Sequence, residues 1–121
     1  MLPKIKTFED ACKALNIDPS KALLDVSGMP VHHQKATIAH AKLIIIAEAL
    51  NDGWKPDWKN SSEWKYYPWF RMSSGSGLAF HVYDTYYSYS SVGSRLCFKT
   101  SDLAEYAGEQ FKDLYEDYFL L

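Results

Sequence analysis

The sequence predicts an α+β fold in which a three-stranded antiparallel meander packs against N-terminal helices and a long C-terminal helix. Three observations lead there. Apolar residues recur every three or four positions over residues 31–51 and again over 101–119, the period of a helix with one buried face. Between these helices, runs at residues 63–72, 78–84 and 94–99 alternate from one side to the other as strands do, separated by the turn "SSGSG" and the polar loop "TYYSYSSVG". Consecutive strands joined by such short connections pair antiparallel in most folds. A chain of 121 residues is the size of one domain with one core, so residues 1–121 are expected to fold as a unit.

The elements follow in order. Thr7 before Phe8, Glu9 and Asp10 opens a short helix over residues 8–15, because its hydroxyl can accept from a free N–H and the two acids sit at the positive end of the dipole. Pro19, Gly28 and Pro30 make residues 16–30 a connection, with room for one helical turn at 20–24. In the central helix Ile38, Ala41, Ile45 and Ala49 form the predicted stripe, widened by Leu43, Ala47 and Leu50. Gly53 can close that helix in the left-handed conformation, and Pro56 prevents its continuation. The stretch "GWKPDWKNSSEW" is expected to turn the chain and bury its tryptophans. Ser101 is the expected cap of one unbroken last helix, whose stripe is Leu103, Ala107, Phe111, Leu114 and Tyr118 with Tyr106 and Tyr115 beside it.

Composition limits the function classes. Hydrophobic residues make up 47% and charged residues 23%, the balance of a chain able to build a core and not of a disordered one. Aromatic residues at 16% point to a core built from large rings. A net charge of −2 excludes a chain that is basic throughout, and the distribution is uneven: residues 1–53 are neutral, 54–100 carry +3 and 101–121 carry −5. Cys12 and Cys97 form no CxxC pair and no disulfide framework, which suits a reduced, cytoplasmic setting. The N-terminal stretch shows no signal-peptide pattern, and the longest apolar run, "LIIIA", is far too short to cross a bilayer.

Strand parity divides the predicted sheet into two faces. Trp64, Tyr66, Phe70 and Met72, with Leu78, Phe80, Val82, Leu96 and Phe98, make a core face. The opposite face collects Lys65, Tyr67, Trp69, Arg71, His81, Tyr83, Arg95 and Lys99, a mixture of rings and cations that marks it as the candidate ligand-binding surface. Left open, it could stack bases and meet phosphates as sheet-based binders of single strands do. Covered by a loop or a partner chain, its cations would snorkel or pair with acids.

Catalytic and metal motifs are sparse. His33 and His40 lie seven residues apart, two helical turns, and neither they nor His32 has the companion ligands of a zinc site; no metal and no cofactor is expected. Cys97 and His81 share a predicted face, the one pair with the residue types of a nucleophile and its base. "SSGSG" lacks the Lys-Ser/Thr ending of a phosphate loop and opens no helix. The six acids of the last helix, from Asp102 to Asp117, form a solvated face or a dock for a basic partner.

At "LNDGWKPDW", "KYYPWF", "VGSRLCFKT" and "LAEYAGEQF" the chain resembles a group of small uncharacterised proteins encoded by phages and prophages of gut-dwelling anaerobic bacteria, over a span from about residue 38 to the end. The resemblance implies a mobile-element setting and favours an accessory binding protein over a metabolic enzyme. The expectation is thus a non-enzymatic intracellular binding or assembly protein acting through a protein partner or self-association, with Tyr86, Tyr87 and Tyr89 as interface anchors. The alternative is a single-stranded nucleic-acid binder using the basic aromatic face.

Overall fold

A computed structural model of the chain describes residues 4–73, 77–86 and 92–120, with side chains described for all of these except 71–73, 77–84 and 86. Its elements run α1 (Phe8–Ala14), α2 (Val31–Asn51), β1 (Lys65–Ser73), β2 (Gly77–Tyr86), α3 (Ser101–Gln110) and α4 (Lys112–Phe119). Helices dominate, and β1 and β2 pair as a two-stranded antiparallel ribbon. The α+β expectation with a three-stranded meander is therefore corrected: among the described residues there is no third strand.

Pro68 explains the loss of that strand. Tyr66 and Phe98 exchange backbone hydrogen bonds, Phe98 N–H to Tyr66 C=O at 2.7 Å and Tyr66 N–H to Phe98 C=O at 3.2 Å, and this is an isolated bridge. Two residues along the same edge of β1, the next pairing position falls on Pro68, which has no N–H to give. Leu96, which would face it, donates instead to Gly93 within a turn. On the other side of the bridge Thr100 already caps α3, its hydroxyl accepting from the Leu103 N–H at 3.2 Å. The edge strand is cut to one residue from both directions.

The helices form where the sequence places them, with three adjustments. In α1 the Thr7 hydroxyl accepts from the Asp10 N–H at 3.0 Å and the Asp10 carboxylate accepts from the Thr7 and Lys6 N–H groups, a complete capping box. Residues 20–23 form turn and bend, and no helical turn occurs over 20–24. The buried side of α2 is Ala39, Leu43, Ile46, Ala47, Ala49 and Leu50, so of the predicted stripe Leu43, Ala47, Ala49 and Leu50 are buried, whereas Ile38, Ala41 and Ile45 are half-buried and Ile46, outside the stripe, is buried. The C-terminal half of this helix is apolar on nearly every side, so periodicity alone does not choose its inner face. It closes at Asp52, left-handed at φ 47°, followed by Gly53 at φ 90°.

The predicted last helix is two helices. It breaks at Phe111 (φ −111°, ψ 28°), and Thr100, not Ser101, is the cap. The break lets the halves face different neighbours: α3 packs on the ribbon and α4 on α2. His40 of α2 stacks on Tyr118 of α4, centroids 4.7 Å apart and planes 12° from parallel, and Lys35 pairs with Asp117 at 3.4 Å.

The main core joins Phe8, Ala11 and Cys12 of α1, the inner side of α2, Leu96 and Phe98, and Ala104, Ala107, Phe111 and Tyr115 of the last two helices; Tyr66 and Phe70 of β1 press on it. Tyr106 and Gln110 tie the N-terminal segment to α3, donating to the Ile5 and Lys6 carbonyls at 2.7 and 2.9 Å. A second, small cluster lies on the other parity of β1, where Tyr67 and Cys97 are buried with Trp54 and Val92 against them. Both faces of β1 are thus covered near its start.

Candidate functional site

The face predicted for ligand binding does not assemble as one surface. Lys65 is fully buried, at 0% exposure, its ammonium donating to the carbonyls of Glu63 (3.1 Å) and Asn60 (3.3 Å), paired with the Glu63 carboxylate at 3.4 Å and lying over the Trp58 ring at 5.1 Å. This is a loop lock: the ammonium fastens the 57–63 turn to the first residue of β1. Tyr67 is buried in the small cluster, whereas Trp69, on the same parity, is 47% exposed. Arg95 and Lys99 are exposed on the returning segment, and the Lys99 N–H donates to Asn51 Oδ1 at 2.9 Å.

Arg71, His81 and Tyr83 are placed by register alone. Trp69 pairs with Val82 and Phe70 with Phe80, so His81 is the extra residue of a bulge. The bulge exchanges the parities of β2 along its length: Arg71 is opposite Ala79, but Tyr83 is opposite Pro68 and falls with Tyr66 and Phe70, not with Tyr67 and Trp69. Alternation counted straight through the strand cannot see this. Tyr86 ends β2, and Tyr87 and Tyr89 lie outside the described residues.

The structure instead draws attention to tryptophan. All four tryptophans of the chain lie between residues 54 and 69. The expectation that this turn buries them fails at Trp58 (36% exposed) and Trp64 (50%), and Trp54 is half-buried. Trp54 stands between two depressions. One, of about 570 Å³, opens between the C-terminal half of α2, the 53–58 loop and the 94–95 turn; Ile44, Trp54, Pro56 and Trp58 give it an apolar floor, and Glu48, Lys55 and Arg95 its charges. The other, of about 440 Å³, is shallower and lies among Trp54, Trp64, Tyr66 and Lys99. The first is large enough for several side chains or a small ligand. Its signal in the sequence is the pair of tryptophans flanking "KPD", which the sequence reading assigns to the interior.

Both thiols are buried. Burial pushes the Cys12 thiol above its usual range, and the charges of Glu9 and Asp18 add to that. Cys97 is enclosed with its Sγ 3.6 Å from the Ser94 carbonyl. Among the described residues no group of His, Cys, Asp and Glu is arranged to hold a metal ion, and no helix is long and apolar enough to cross a membrane. No known protein family, curated protein sequence or solved structure matches the chain.

Proposed function

We propose that the chain is a small non-enzymatic binding protein of phage or prophage type, working inside the cell through contacts to a protein, and that the tryptophan-lined surface around Trp54, Trp58 and Trp64 is its contact region. One observation supports this above the others: Trp58 and Trp64 are each at least a third exposed, on either side of half-buried Trp54, beside the two depressions that it separates. Exposed tryptophan beside a cleft is the residue type that dominates binding energy at protein interfaces. The phage setting rests on the resemblance of the four quoted stretches.

The test is affinity capture from lysogenic cells with the wild-type chain and a Trp58→Ala, Trp64→Ala bait. A partner retained by the first and lost by the second is the expected outcome, and equal retention would remove the proposal. Single-stranded oligonucleotide binding that is salt-sensitive and lost on Trp69→Ala would favour the nucleic-acid reading instead. That reading has already given up Lys65 and Tyr67 to the interior.

A further inference from the structure

The cleft beside Trp54 has a chemical counterpart on the same chain. Its two cations, Lys55 and Arg95, make no ion pair among the described residues, and neither does its acid, Glu48. Lys112, Asp113, Glu116 and Phe119 of α4 are spaced so that all four share one side of the helix, where one part of the Phe119 ring packs against Phe70, Tyr115 and Tyr118 and the rest is open. Asp113 is exposed, Lys112 and Glu116 are half-buried, and Phe119 is 37% exposed. Asp117, the acid that does pair within the chain, is turned toward α2 and Lys35.

Two acids, one lysine and one ring on the helix thus match two cations, one acid and an aromatic floor in the cleft. We propose that the cleft is occupied by α4 of a second copy of this chain, with Phe119 against Trp54 and Trp58, Asp113 and Glu116 at Lys55 and Arg95, and Lys112 toward Glu48. This rests on the proposed function and names the partner of that surface. The two patches differ, so each copy offers one of each and the contact is head-to-tail, which closes into a ring or grows as a chain. Set at the open rim of the tryptophan floor, the charge pairs fix the register while the rings supply the buried area.

Sedimentation velocity on the purified protein, over a range of concentrations and at about 50 and 500 mM salt, tests it, because exposed charge pairs weaken as the screening length shrinks. The expected result is concentration-dependent association that is stronger at low salt. Arg95→Glu or Glu116→Arg alone should weaken it about tenfold or more, the scale of losing one charge-assisted contact and gaining a repulsion. The double variant Arg95→Glu, Glu116→Arg restores the pair with reversed sign and should recover association. Circular dichroism checks that each variant is folded; Arg95 is exposed and Glu116 half-buried. A wild-type chain that stays monomeric, association indifferent to Arg95→Glu, or a double variant no better than the singles would each overturn the inference. A monomer that still captures a partner through Trp58 and Trp64 would refute this inference alone and leave the proposed function standing.

Discussion

Asn51, the last residue of α2, holds the returning segment by both ends of its amide: Nδ2 donates to the Cys97 carbonyl at 2.9 Å and Oδ1 accepts from the Lys99 N–H at 2.9 Å. The side chain is buried, so neither backbone group has water as a ready substitute. Asn51→Ala leaves a buried carbonyl and a half-buried N–H without partners, which should cost about 2–3 kcal/mol at roughly 1–3 kcal/mol per unsatisfied group. Asn51→Asp keeps the acceptor but sets a carboxylate against a carbonyl and should also destabilise. Urea unfolding with unchanged slope and a lowered midpoint is the expected reading.

Lys65 should prove structural. Lys65→Ala removes the lock between the 57–63 turn and β1 and is expected to destabilise by about 2 kcal/mol, less than a fully buried pair would because Glu63 is partly exposed and can rehydrate. A double-mutant cycle with Glu63→Gln isolates the ion pair. A Lys65→Ala protein as stable as wild type would show that the carbonyls and the Trp58 ring contribute nothing net.

The thiols should be silent. A maleimide or disulfide reagent is expected to label neither Cys12 nor Cys97 in the folded protein at a rate above that of structural opening, and both on unfolding. Rapid labelling of Cys97 under native conditions would revive it as a nucleophile.

Acid should loosen α1. Hydrogen bonds from the Lys6 and Thr7 backbone and from Thr7 hold the Asp10 carboxyl below its usual range. Its folded value is therefore depressed, so the contribution is complete above about pH 4, the unfolded value, and is lost as pH falls through the lower folded value. The protection of the residue 8–14 amides, relative to the exchange of an unfolded chain at the same pH, should fall with acidification in that window, and Asp10→Asn should remove that pH dependence.

How much was legible follows from which rule governs each residue. Helix starts and stops depend on local chemistry, and Thr7, Gly53 and Pro56 announce them; α1 and α2 appear where expected. The sheet failed at two residues whose effect is not local. Alternation treats Pro68 as an ordinary strand residue, although its missing N–H falls on the one edge a third strand needs. Alternation likewise gives His81 a face, although its role is to be the extra residue that exchanges faces. The site suffered accordingly: parity put Lys65 and Tyr67 with Trp69, while the returning segment and the 57–63 turn cover the first two and leave the third. The Phe111 break has no Gly or Pro to mark it and is set by tertiary packing on two different neighbours.

The clasp at Asn51 also sets what the molecule can tolerate. The chain leaves the helical body after residue 51 and returns at 97 within the reach of one amide side chain, so the two ends of the intervening excursion already coincide. For a closed loop of that kind, each doubling of length adds only about 0.6 kcal/mol of closure entropy. Closure entropy therefore sets little limit on the length of this excursion; the limits come from Lys65, which fastens the 57–63 turn, and from Tyr66 and Phe70, which pack on the core. The excursion is in this sense pinned at its neck by one side chain and seated on the helices by two rings.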